Sequence, residues 1–204
     1  MKLSLNMNYL AHAYLSFQHK DILAGNMISD FIKGKKQFDY PAEIQAGIKL
    51  HRAIDQFTDD HPCTKIMAAV FKPTYRLYGG AFADVVYDHF LANDTTQFPT
   101  ARHLLDFTTH TYAQLQENQQ WLPPAFAAMF PYMQSQDWLY NYQFDSGIQK
   151  SFQGLARRAA YIPESDTAFE LFLNNKELLG EQYTLFFHSV KSFAAYTMEQ
   201  LFKH

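Results

Sequence analysis

The chain has a single cysteine, Cys63, in 204 residues. An intrachain disulfide is therefore excluded and stability has to come from packing, which suits a reducing compartment and points to the cytoplasm. No apolar run approaches the roughly 20 residues that span a bilayer, so a membrane protein is not expected. The opening MKLSLNMNYLAHAYLSF offers a lysine and an Ala-x-Ala, but Asn6, Asn8 and His12 interrupt its apolar stretch, which argues against a secretory signal. Glycine and proline number eight each and are scattered, so linkers, low-complexity tracts and repeats are missing and one domain over 1–204 is expected. Basic residues are few: 17 Lys and Arg against 20 Asp and Glu give a net charge of −3, and no basic stripe offsets it, which disfavours nucleic-acid binding. The chain also lacks a His-Glu-x-x-His pair, a Cys-x-x-Cys pair, a Gly-rich phosphate loop and a Gly-x-Ser-x-Gly elbow. Zinc protease, thiol redox, P-loop and serine hydrolase chemistries thus have no motif here.

Aromatic residues, by contrast, are plentiful: 19 Phe and 13 Tyr imply a large packed core. The hydrophobic spacing is helical almost throughout, with Pro41, Pro62, Pro99 and Pro124 placed where a first helical turn tolerates a missing N–H. The pattern predicts an all-α, single-domain helical bundle. Its helices lie at about 8–18, 22–33, 41–59, 62–71, 80–93, 99–120, 124–139, 145–159 and 165–203, the last open to a break near Gly180.

Four of these helices turn polar groups toward their apolar side. In 41–59, Ile44, Ile48, His51 and Asp55 form one stripe. In 22–33, Asn26 and Asp30 continue the row that begins at Ile22. In the first helix Asn8 and His12 are one turn apart, and in 80–93 His89 shares a face with Phe82, Val85 and Val86, with Asp88 at its edge and Asp84 a turn earlier. A lone inward His or Asp is usually a hydrogen-bonded core residue or a cap. Several meeting inside one apolar bundle would repel or neutralise one another unless a cation joined them. Imidazole with carboxylate and no thiolate suits Mn²⁺, Fe²⁺ or Zn²⁺, and the carboxylate-rich set leans toward Mn²⁺ or Mg²⁺. Hydrolysis by a metal-activated water is the leading chemistry.

The stretches MNYLAHAYLS, AGNMISDFIKG, GIKLHRAIDQFTDD and DVVYDHFLA, in this order and spacing over about 7–93, resemble the bacterial acyl carrier protein phosphodiesterases. SFQGLARRAA at 151–160 is similar to a later basic motif of the same family. The resemblance implies an all-helical, HD-phosphohydrolase-like, Mn²⁺-dependent hydrolase that removes 4′-phosphopantetheine from holo acyl carrier protein. HD enzymes carry a contiguous His-Asp ligand doublet, whereas this chain has only the reversed Asp60-His61 and Asp88-His89.

Matching the inward polar groups to those motifs gives His12, Asp30, His51, Asp55 and Asp88 as candidate metal ligands. Asn8 and Asn26 are expected to orient the ligands or a water from behind. His89 or His12 could protonate the departing oxygen, and Arg52 could reach the phosphate. For docking an acidic carrier protein the candidates are Lys33, Lys35, Lys36, Arg157 and Arg158. Two other readings remain open: a metal phosphohydrolase acting on another phosphodiester or a nucleotide, and a helical binding protein without turnover.

Overall fold

Helical periodicity becomes helix along the described chain. The computed structural model describes residues 9–159 and 161–203, and among them no strand occurs. The helices are α1 (Tyr9–Tyr14), α2 (Lys20–Ile28), α3 (Ala42–Asp60), α4 (Pro62–Tyr75), α5 (Gly79–Ala92), α6 (Ala101–Glu117), α7 (Pro124–Ser135), α8 (Trp138–Asn141), α9 (Asp145–Arg158), α10 (Asp166–Asn174) and α11 (Lys176–Phe202). None of the described helices is long and apolar enough to cross a membrane.

The expected boundaries shift for local reasons. The first helix was expected to reach residue 18, but Phe17 and Gln18 adopt left-handed φ angles of 50° and 62°, and α1 stops at Tyr14. The second gives way after Ile28 to a 3-10 turn at Ser29–Phe31, so Asp30 sits just past the end of α2. The helix expected at 124–139 is broken by Asp137, whose φ of 44° separates α7 from α8. The long C-terminal segment breaks at Asn175, not at Gly180. The Asn175 amide Nδ2 donates to the carbonyl of Leu171 (2.8 Å), closing the end of α10. Gly180 lies within α11, where a Cβ would come within 3.1 Å of the Phe90 ring.

The centre of the fold is α2, buried on every side from Ile22 to Ile28, as expected of a helix apolar all round. It crosses α3 at two glycines. A Cβ on either Gly25 or Gly47 would lie 2.9 Å from the α-carbon of the other and closer still to a carbonyl of the facing helix. Only glycine permits this approach. One turn beyond the crossing, α3 presents His51 and then Asp55, facing Asn26 and Asp30. From the other side, α1 lays His12 against the same spot.

Candidate metal centre

His12 and His51 are both buried, and their rings stack with centroids 4.0 Å apart and planes 19° from parallel. Asp55 reaches between them: its Oδ1 is 3.2 Å from His12 Nε2 and its Oδ2 is 3.2 Å from His51 Nε2. Asp30 Oδ1 lies 3.3 Å from the same His51 nitrogen. One ligand atom each from His12, His51 and Asp55 falls within a mutual 4.8 Å, close enough to hold one ion.

The atoms behind this group fix how it is presented. Ser16 Oγ donates to the carbonyl of His12 (2.8 Å), and Asn26 Nδ2 donates to that carbonyl (2.9 Å) and to Ser16 Oγ (3.0 Å). The Asn26 amide is thereby oriented so that Oδ1 faces His51 Nδ1 at 3.2 Å and can only accept. His51 therefore carries its proton on Nδ1 when neutral, which leaves the Nε2 lone pair directed at Asp30 and Asp55.

Electrostatics distinguish the two imidazoles. Burial lowers His12 below the usual histidine range, and the neighbouring His51 adds to this. Burial works against the charged form of His51 too, but hydrogen bonds to Asp30 and Asp55 outweigh it and raise its pKa to about 10. Asp55 is held well below the ordinary carboxylate range, because the two imidazoles overcome its desolvation. A positive charge is thus accommodated between Asp30 and Asp55, and a proton on His51 supplies it in the absence of a cation. His12 fits less well with a purely protein-bonded network. Both of its ring nitrogens are buried, and Nε2 has Asp55 Oδ1 at 3.2 Å while Nδ1 makes no hydrogen bond among the described residues. An imidazole nitrogen and a carboxylate oxygen this close in a buried cluster are compatible with both ligating one ion. The donors N, N and O fit a divalent cation.

Other expected residues stand apart from this group. Asp88 is buried, but its Oδ1 accepts from the backbone N–H of Ala11 (2.8 Å) and its Oδ2 from that of Leu10 (3.0 Å). It is a cap from α5 on the first turn of α1, immediately before His12, and each of its oxygens is engaged by a backbone N–H. Asp88→Ala is expected to lower stability by about 1–3 kcal/mol, the cost of two buried unpaired N–H groups. Its metal-induced rise in melting temperature should persist, and loss of that rise would return Asp88 to the ligand set. His89 Nδ1 is bonded to the carbonyl of Tyr142 (2.8 Å) and its Nε2 faces Asp145 at 3.8 Å, away from the centre. Arg52 is engaged on the outer face of α3, donating to Gln37 Oε1 (2.7 Å) and to the carbonyl of Ile32 (3.1 Å). Lys33, Lys35, Lys36, Arg157 and Arg158 are all exposed. Asn8 lies outside the described residues.

One residue was passed over in the choice of ligands. Asp84 is buried on α5, and no described residue forms a hydrogen bond or ion pair with it. Burial, and then the charges of Asp55 and Asp59, push its carboxyl well above the normal range. Its signal was its place on the inward face of α5, one turn before Asp88.

The family described as acyl carrier protein phosphodiesterase matches residues 7–190. The chain belongs to that family. An acyl carrier protein phosphodiesterase of Yersinia pestis is 32% identical over 181 residues, 89% of this chain and 94% of that protein. Proteins of the same name from Klebsiella pneumoniae and Escherichia coli are 36% and 32% identical over 152 residues, covering 74% of this chain and 79% of each relative. No solved structure matches the chain. As a member of the family, the chain carries His12, His51 and Asp55 inside the matched region, along with both glycines of the α2–α3 crossing.

Proposed function

We propose that the chain hydrolyses the phosphodiester joining 4′-phosphopantetheine to the serine of holo acyl carrier protein, releasing the apo protein. The observation that carries this reading is the convergence of His12, His51 and Asp55 on one point, in a chain whose relatives are named for phosphodiesterase action on that carrier. His12, His51, Asp55 and Asp30 would hold a divalent cation, with Mn²⁺ favoured and Mg²⁺ or Fe²⁺ the alternatives, and Asp84 is the further carboxylate available to it. When bound, such an ion supplies charge neutralisation at the phosphate and acidifies a water. The chain's own part is orientation: Asn26 fixes the His51 tautomer, Asp88 fixes the start of α1, and Asp30 and Asp55, each only partly buried, mark the open side of the centre. On this reading His51 and Asp55, one turn apart on α3, stand in for the contiguous doublet of HD enzymes. The exposed Lys33, Lys35 and Lys36, which begin three residues beyond Asp30, form one basic patch for an acidic carrier, with Arg157 and Arg158 the other.

The test is mass spectrometry of holo acyl carrier protein incubated with the purified protein and Mn²⁺. Conversion to apo carrier with release of 4′-phosphopantetheine is expected, with none after chelation. Hydrolysis confined to small phosphodiesters would assign another substrate. Absence of turnover on either would leave a helical binding protein.

A further inference from the structure

A cleft of small-molecule size lies apart from the metal centre. It lies between the loop at 93–97 and α11 and encloses about 910 Å³, within the range of small-molecule sites. None of His12, Asp30, His51 and Asp55 lines it, so the cleft is separate from the imidazole cluster.

Its floor is a ladder of rings. Phe90 stacks on Tyr183 (5.8 Å, 28°), Tyr183 on Phe187 (5.2 Å, 25°), and Phe187 meets Tyr14 at 5.8 Å. Gly180 keeps the far end open, since any side chain there would press on Phe90. At the near end stands Lys191, half-buried, with its ammonium 5.1 Å from the Tyr14 ring centroid. It donates to Gln97 Oε1 (2.6 Å) and to Tyr14 Oη (2.9 Å), and Tyr14 donates onward to the same Gln97 oxygen (2.6 Å). Both of its acceptors are neutral, and among the described residues no carboxylate pairs with it. The nearest acid on the loop, Asp94, is already occupied by Tyr183, Thr96 and its own turn. An ammonium has three N–H groups, so one donor and the positive charge remain available to a ligand entering the cleft.

We propose that this cleft binds an amphiphilic anion, with a single anionic head at Lys191 and an elongated apolar body lying along the Phe90–Tyr183–Phe187 ladder. The proposal is independent of the hydrolytic reading, and either can fail alone.

Isothermal titration of the full-length protein with decanoate tests it. One site per chain is expected. Lys191→Met should weaken binding tenfold or more, and Lys191→Arg should largely restore it. Thr184→Trp, placed on the exposed wall of the cleft where Thr184 bonds only the Gly180 carbonyl, should weaken it by filling the space. Decyltrimethylammonium, with the same tail and the opposite charge, should not bind. Circular dichroism of each variant confirms that it is folded. Absence of decanoate binding to the wild type, wild-type affinity in folded Lys191→Met and Thr184→Trp, or equal binding of the cationic amphiphile would each overturn the assignment.

Discussion

Asp55→Asn is expected to cripple turnover and to remove the stabilisation of the protein by added cation. The carboxylate stands between two imidazoles, 3.2 Å from each, and touches both. The amide cannot supply the negative charge that offsets the cation, and one of its two ends would turn an N–H donor toward an imidazole nitrogen. Turnover should fall by about 10³-fold, at the upper end of what losing one preorganised electrostatic group costs. The second readout needs no substrate. An ion at a hundredfold excess over its dissociation constant stabilises a native protein by about 2.7 kcal/mol, which for a chain of this size is a rise of roughly 5–11 °C in melting temperature. Titration with Mn²⁺ under differential scanning calorimetry should show that rise in the wild type and none in Asp55→Asn. An unchanged rise in the variant would mean that the ion, if it binds, binds elsewhere.

The residues of this centre were legible because each breaks a helical pattern in the same direction. His51 and Asp55 occupy the row begun by Ile44 and Ile48, and Asn26 and Asp30 the row begun by Ile22, so a period of 3.6 suffices to turn them inward. The same rule does not say which groups Asp88 meets, and in the fold these include the backbone N–H groups of Leu10 and Ala11. Inward orientation says only that a carboxylate is buried. Whether it meets a cation or the bare N–H groups of another helix's first turn depends on tertiary placement, which periodicity does not carry. Asp84 was passed over for the converse reason: nothing in the sequence separates it from a capping or paired acid, and only its lack of a described partner sets it apart. The helix ends at Tyr14 and Ser135 depend on left-handed residues that are neither glycine nor asparagine, Phe17, Gln18 and Asp137, so no turn signal marks them. The C-terminal break was misplaced because Gly180 resembles a terminator, whereas its actual role is to make room for Phe90.

Gly25 and Gly47 carry the least visible information. Each sits inside a helical pattern, where glycine usually weakens the helix by about 1 kcal/mol relative to alanine. Gly47→Ala is nevertheless expected to destabilise. Its Cβ would run into the backbone carbonyl of Ile22, which has no rotamer to yield, so α2 and α3 would have to separate. Overpacking of this kind costs about 1–3 kcal/mol or more, and the gain in helix propensity offsets only part of it. A net loss of about 2 kcal/mol corresponds to a fall of roughly 4–8 °C in melting temperature. Separation at the crossing also draws Asn26 and Asp30 away from His51, one turn on, and the His51 tautomer then loses its anchor. Cation affinity should drop by about 10–100-fold even at temperatures where the variant is fully folded, the usual effect of removing a group that orients a ligand. Gly80→Ala is the control: it lies in α5 with nothing within 4 Å of an added Cβ, and should leave stability unchanged or raise it by up to about 1 kcal/mol. If Gly47→Ala behaves like Gly80→Ala in both calorimetry and cation titration, the two helices do not approach as closely as described and the centre does not depend on their crossing.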